Sequence, residues 1–355
     1  MTATTLAATA GRIFAIDLGK YKSVACNYDP ATAEVAFATF DTTGDELKRR
    51  LARARPAVVV IEACAVSGWV HDLCAELGLP CRVANTASEA WKYKHAKRKT
   101  DRDDARRLAQ LQALNQLPVV AVPPKPVREW RALIAHRQAL VGRRVTLQNR
   151  LRATLLVQGR PAPRGHRAWT AAGLDEWAAW TRPLAECPAD ELWRGRLGRT
   201  LEEYGQVREQ IEALESALDA VATRSPAVQL LRTIPGVGPR TAEAVAAYLD
   251  DPKRFASAKE VSAYAGLVPR QFQSGECDRR GRITRRGPAL LRKLLVECAW
   301  CSLRYNRWAR QTYLRLSRNG STRKKQAIVA VARKMLVRCW AVLRDGQPWR
   351  EPQPV

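Results

Sequence analysis

The sequence predicts an α/β domain followed by an all-α remainder, and three observations carry that prediction. Five short apolar or β-branched runs fall within the first 85 residues. The first three are separated by tight turns and the later ones by helical stretches, the order of hairpins followed by parallel crossovers. Beyond a Pro-rich break, Val122-Pro123-Pro124-Lys125-Pro126, apolar residues recur at helical spacing.

The strand signals stand at 13–17, 23–28, 34–39, 57–61 and 81–84. Leu18-Gly19-Lys20 and Asp29-Pro30 supply the early turns, and helical patterns at 45–54 and 66–77 the crossovers. Three hairpin-linked strands followed by βαβ units is the ribonuclease H-like order. In it the first and fourth strands lie side by side. Residues 1–122 form this domain. Residues 123–227 read as a coiled-coil-like helical region, with Trp130, Leu133, Ile134, Leu140, Val141, Leu147, Leu151 and Leu155 on the first helix. A Gly/Pro/Trp-rich stretch over 159–188 interrupts it. Leu197, Leu201, Tyr204, Ile211, Leu214, Leu218 and Val221 mark the second helix. The two helices either fold back as an antiparallel hairpin or meet partner chains. Arg128, Arg131, Arg137, Arg143, Arg144, Arg150 and Arg152 line the first helix, as a solvated face or as a nucleic-acid contact. Residues 228–345 form a helical C-terminal domain, and 346–355 read as a frayed tail.

Of the 355 residues, 46% are hydrophobic and 26% charged, a globular composition. The formal net charge of +26 favours a polyanionic partner, because each phosphate contact releases condensed counterions. The nine cysteines are scattered and odd in number, unlike a disulfide framework. Cys298 and Cys301 form one CxxC without a second pair, and read as helix-core thiols rather than a zinc site. There is no signal-peptide pattern and no apolar run near the roughly 20 residues a bilayer requires. These features predict a reduced, cytoplasmic protein without a membrane partner.

Three groups of residues carry chemistry. Asp17 closes the apolar run Ile13-Phe14-Ala15-Ile16, and Glu62 closes Val58-Val59-Val60-Ile61. A carboxylate at a buried strand end has no inexpensive structural reason to be there. Asp101 and Asp104 stand one helical turn apart in Lys99-Thr100-Asp101-Arg102-Asp103-Asp104-Ala105, with Thr100 as N-cap. These two are also ordinary first-turn acids favoured by the helix dipole. Acids converging on a divalent cation such as Mg2+ suit phosphoryl transfer. The second group is Ile234-Pro235-Gly236-Val237-Gly238-Pro239-Arg240, either a helix-hairpin-helix signature whose glycines and helix start can face a phosphate or an ordinary helix–turn–helix corner that needs glycine. The third is Gln273-Ser274-Gly275 between Arg270 and a run holding Arg279, Arg280, Arg282, Arg285, Arg286, Arg292 and Lys293, uninterrupted by acid from Arg279 onward. Ser274 beside that cluster is either a turn residue or a nucleophile aided by cationic stabilisation. His71, His95, His136 and His166 share no motif and read as structural or surface residues.

Taken together these residues resemble the transposases of bacterial insertion sequences that carry a RuvC-like DEDD domain and a C-terminal serine transposase domain, the bridge-RNA-guided recombinases. Ala15-Ile16-Asp17, Ile61-Glu62-Ala63 and the Asp101–Asp104 segment match the acidic motifs. Pro235-Gly236-Val237-Gly238, Gly266-Leu267-Val268-Pro269, Gln273-Ser274-Gly275 and Arg285-Arg286-Gly287 match the C-terminal domain. The resemblance implies that Asp17, Glu62, Asp101 and Asp104 hold Mg2+, and that Ser274 attacks a DNA phosphate to form a transient covalent link. It implies donor and target DNA as substrates and a noncoding guide (bridge) RNA that pairs with both. It also implies a homo-oligomer, a dimer or tetramer, in which one subunit's serine completes another's metal site. Two readings compete with it: a Holliday-junction resolvase-like Mg2+-dependent nuclease, and a non-catalytic DNA-organising protein.

Overall fold

The computed structural model describes residues 11–85, 100–274 and 277–351. His95, Lys99, Gly275 and the side chain of Arg280 lie outside the described residues. The chain divides into two compact units, residues 1–125 and 126–355.

The first unit is a mixed sheet between helices. Its elements are β1 (Ile13–Asp17), β2 (Lys22–Tyr28), β3 (Val35–Asp41), α1 (Gly44–Ala54), β4 (Val58–Glu62), α2 (Ser67–Glu76), β5 (Cys81–Ala84), α3 (Asp101–Ala113) and β6 (Val119–Val120). The strand order is β3-β2-β1-β4-β5-β6. β1 pairs antiparallel with β2 and parallel with β4, so the first and fourth strands are neighbours, as the sequence predicts. The two-residue β6 is too short to leave a periodic signal.

Alternation along the strands builds two cores. Phe14, Ile16, Val59 and Ile61 point to one face and bury Leu47 and Leu51 of α1 with Val70 and Cys74 of α2. Ile13, Ala15, Val58 and Val60 point to the other face and bury Ala105, Leu108 and Ala109 of α3. Helix α3 crosses the sheet obliquely. Its Gln112 accepts a hydrogen bond from Arg82 Nη1 on β5 at 3.2 Å, while Arg102 at its start lies 5.6 Å over the Phe37 ring on β3.

The second unit opens with α4 (Lys125–Val157) and α6 (Leu192–Thr223), with α5 (Ala171–Ala178) between them. The two long helices fold back on each other in antiparallel fashion. Leu140, Leu147, Leu151 and Leu155 pack against Leu197, Tyr204, Val207 and Ile211. Arg137 meets Glu215, and Arg143 meets Glu203 at 2.7 Å. The arginine-lined face is therefore largely spent inside the unit. Arg131 donates to the Ala247 and Tyr248 carbonyls at 2.8 and 3.1 Å, and Arg152 lies 5.0 Å over the Trp169 ring.

The rest of the unit holds α7 (Pro226–Arg232), α8 (Pro239–Leu249), α9 (Ala258–Tyr264), α10 (Ala289–Tyr305), α11 (Arg307–Ser317) and α12 (Lys324–Asp345) around one core. It departs from the predicted all-helical domain in one respect. β7 (Pro269–Ser274) and β8 (Cys277–Ile283) form an antiparallel ribbon. Every residue of β7 is exposed, so neither of its faces is apolar and the period-2 signal is missing. Two further expectations need correction. Cys298 is buried but Cys301 is exposed, so only the first is a helix-core thiol. The segment read as a frayed tail is tied down at Trp349, whose N–H donates to Thr233 Oγ1 at 2.9 Å and whose ring meets Trp308 at 5.8 Å. Among the described residues no helix is long and apolar enough to cross a membrane.

Candidate active site

The acidic site is assembled by sheet register. Asp17 follows Ile13 and Ala15 to the α3 face of the sheet, and Glu62 follows Val58 and Val60 to the same face. Their cross-strand partners, Val24 for Asp17 and Ala84 for Glu62, belong to the α3-side core. The β1–β4 ladder ends on Ile16 beside Ile61, so Asp17 and Glu62 occupy the next rung at the C-terminal ends of parallel strands.

Helix α3 brings the remaining acids. The Asp103 N–H donates to Thr100 Oγ1 at 3.2 Å, and the Thr100 hydroxyl donates back to Asp103 Oδ2 at 2.6 Å. This reciprocal cap fixes where the helix starts. It leaves Asp104 on the sheet-facing side at 6% exposure, next to Ala105 of the core, while Asp101 stays exposed one turn earlier. Asp17, Glu62 and Asp104 thus share one face of the sheet. All are hard oxygen donors of the kind Mg2+ accepts while retaining waters, and the adjacent pair Asp17 and Glu62 fits a shared ion. Among the described residues no group of three or more His, Cys, Asp or Glu side chains closes into a metal cage.

In the second unit a glycine turn joins α7 to α8. Gly236 has φ +89°, and a methyl group there would stand 2.5–2.9 Å from Ser302 on α10. Only glycine fits. The turn is held from beneath by Cys298 Sγ donating to the Gly236 carbonyl at 3.3 Å and Asn306 Nδ2 donating to the Pro235 carbonyl at 3.2 Å. Burial pushes the Cys298 thiol up to about 11, so it stays protonated there. Gly238 caps α8 and faces open space. Arg240 is turned inward, paired with Asp219 and, at 3.3 Å, with Glu243.

Ser274 is the last residue of β7 and is exposed, opposite Cys277. Arg270 on β7, Arg279 and Arg282 on β8, and Arg285 and Arg286 beyond it are all exposed. Arg280 lies opposite Gln271 in the ladder. Arg292 behaves differently from its neighbours: its Nη1 donates to the carbonyls of Ala265, Arg286 and Gly287 at 2.9–3.0 Å, clasping the base of the ribbon. Sequence reasoning missed that clasp and missed Glu243. The signal for Glu243 was present, an acid set among Ala242, Ala244, Val245 and Ala246.

A transposase model of the IS110 DEDD type matches residues 14–158, and the Transposase IS116/IS110/IS902 family model matches residues 228–314. The transposase for insertion sequence element IS1328 of Yersinia enterocolitica is 31% identical, over 72% of this chain and 73% of its own length. The chain belongs to the IS116/IS110/IS902 transposase family. The putative transposase y4rJ of Sinorhizobium fredii is 28% identical over 95% of this chain and 93% of its own. The transposase for insertion sequence element IS1111A of Coxiella burnetii is 28% identical over 96% and 91%. An IS110-family transposase acts on DNA, which accounts for the net charge of +26. The DEDD match spans β1 through α4 and so covers Asp17, Glu62, Asp101 and Asp104. The C-terminal match covers the glycine turn and Ser274.

Proposed function

We propose that this transposase exchanges DNA strands under the direction of a noncoding guide RNA, with Asp17, Glu62, Asp101 and Asp104 as its Mg2+ ligands and Ser274 as its nucleophile. The observation that carries the reading is the placement of Asp17 beside Glu62 on the face that α3 covers with Asp104. Mg2+ bound there would polarise a phosphodiester and offset its developing charge. The exposed arginines around Ser274 would neutralise phosphate charge beside the serine.

In the covalent step Ser274 Oγ bonds to phosphorus and its proton passes to water. The bond from phosphorus to one deoxyribose oxygen breaks, and that oxygen takes a proton to leave as a hydroxyl. Attack of a hydroxyl from the second DNA on the phosphoserine frees Ser274 and joins the strands. Exposure of Ser274 at the end of a ribbon supports access to a large polyanionic substrate. Sequence choice would lie in base pairing by the RNA, the protein reading backbone and shape. The active form would be a homo-oligomer, a dimer or tetramer, in which one subunit's serine serves another's acids.

The test is recombination between donor and target plasmids with the guide RNA supplied. Ser274→Ala is expected to abolish both product and the covalent protein–DNA adduct. Full activity in that variant ends the serine role. Mg2+-dependent cleavage without any adduct would instead favour a nuclease that uses water.

A further inference from the structure

Phe272 sits in the middle of the β7–β8 ribbon and is 60% exposed. It belongs to none of the hydrophobic clusters among the described residues. Strand alternation puts Arg270, Phe272 and Ser274 on one face of the ribbon. Their ladder partners share it: Arg279 lies opposite Phe272, and Cys277 opposite Ser274. Gln271, Gln273 and Asp278 occupy the other face, where Gln271 Nε2 donates to Asp278 Oδ1 at 3.1 Å. Gly281 also faces Phe272. A methyl group built on it would stand 3.3 Å from the ring's Cε2 and 3.6 Å from Arg270 Cβ. The phenyl ring therefore lies over bare backbone, supported from below and open above.

No packing explains an aromatic in this position. A two-stranded ribbon has no core of its own, and an exposed aromatic on a strand invites aggregation unless charge guards it. Here charge does guard it, since Arg270 and Arg279 share the ring's face and are exposed. An apolar protein partner would have to strip water from those guanidinium groups without neutralising them. A nucleic acid answers both features at once, offering phosphates to the arginines and a base to the ring. Bases inside an intact duplex are already stacked on each other, so the ring can take only an unpaired one.

We propose that Phe272 is a stacking platform for an unpaired DNA base, with Arg270 and Arg279 neutralising the phosphates of that strand. The choice of DNA rests on the reading of Ser274 as nucleophile. The serine lies two residues along the same face, about 7 Å away along the strand. The platform would hold the opened strand while its neighbouring phosphate meets the hydroxyl. It makes Phe272 a positioning residue rather than a catalytic one.

The test is photocrosslinking of the full chain to a 5-iododeoxyuridine-substituted single strand, to the same strand in a perfect duplex, and to the matching 5-iodouridine RNA. An adduct mapped to Phe272 is expected with the DNA single strand and is strongly reduced with the duplex. Phe272→Ala should remove it and weaken single-strand binding about tenfold, the loss of one stacked base. Phe272→Trp should restore both. Gly281→Val keeps the phenyl ring but fills the space beneath it, and should lower the adduct yield with an unchanged thermal melt. Ser274→Ala should leave the stacking adduct intact, so failure of the nucleophile reading and failure of the platform are told apart. The proposal is overturned if DNA adducts form elsewhere but not at Phe272. Undiminished binding by Phe272→Ala also overturns it, as does an adduct on RNA alone.

Discussion

Asp17 and Glu62 share the rung one step past the Ile16–Ile61 pair of neighbouring parallel strands, and both face α3. Two like charges brought side by side at the C-terminal ends of central strands raise each other's cost. A divalent cation between them would turn that cost into affinity.

From this relationship Asp17→Asn and Glu62→Gln are expected to lower Mg2+-dependent strand cleavage by about a hundredfold or more, since metal-held charge stabilisation is worth several kcal/mol. Neither should unfold the sheet, because both amides keep the shape of the acids. Cleavage rates alongside thermal melts check this. Wild-type rates in either variant would remove that acid from the site.

Asp101 and Asp104 should separate in stability. Asp104 is buried against the sheet and Asp101 is exposed. Asp104→Ala leaves a void and disturbs a packed surface, at a cost of about 1–3 kcal/mol, whereas Asp101→Ala stays within about 0.5 kcal/mol. Urea denaturation of both variants measures the difference.

Glu243 gives the second unit a pH dependence. It is fully buried on α8, with charged groups of α4 and α6 around it: Arg137, Glu215 and Asp219, besides Arg240 on its own helix. Burial pushes its carboxyl up to about 7, with Asp219 and Glu215 adding to the rise and Arg240 and Arg137 opposing it. The folded state then holds a proton that the unfolded chain releases from about pH 4.5 upward. Stability from this group is therefore complete at low pH, falls as pH rises from about 4.5 to 7, and is level above that. The slope is at most about 1.4 kcal/mol per pH unit for one proton. Melting curves across that range should show the fall in the wild type, and Glu243→Gln should flatten it.

The arginines divide into two classes. Arg270→Ala and Arg279→Ala on the exposed ribbon should each reduce the salt slope of DNA binding by about one. Arg240→Ala should leave that slope unchanged but destabilise the protein, because its guanidinium pairs with Asp219 and Glu243. Binding titrations at several salt concentrations separate the two.

Gly236→Ala should cost about 2 kcal/mol or more, from a left-handed φ of +89° and a collision with Ser302. Chemical denaturation gives the value, and a loss within error would show that the turn can shift away from α10.

Five of the six strands of the sheet, and the acids that close two of them, are legible from local residue patterns. Hydrophobic runs such as Val58-Val59-Val60-Ile61 and turns such as Leu18-Gly19-Lys20 are local signals, and local physics reads them. The sequence also marks the Thr100 cap and the glycine turn, because capping and positive φ demand particular residue types at fixed spacing. The remainder depends on contacts between distant parts of the chain. Arg131, Arg137 and Arg240 look like nucleic-acid contacts in one dimension, yet each turns inward to a carbonyl or carboxylate more than 20 residues away. The β7–β8 ribbon escaped notice because every residue of β7 is exposed, and Phe272 acquired meaning only when pairing set it over Gly281 and opposite Arg279. A side chain's charge is written in the sequence, but what it faces is set by contacts distant in the chain, and those form only when the fold closes.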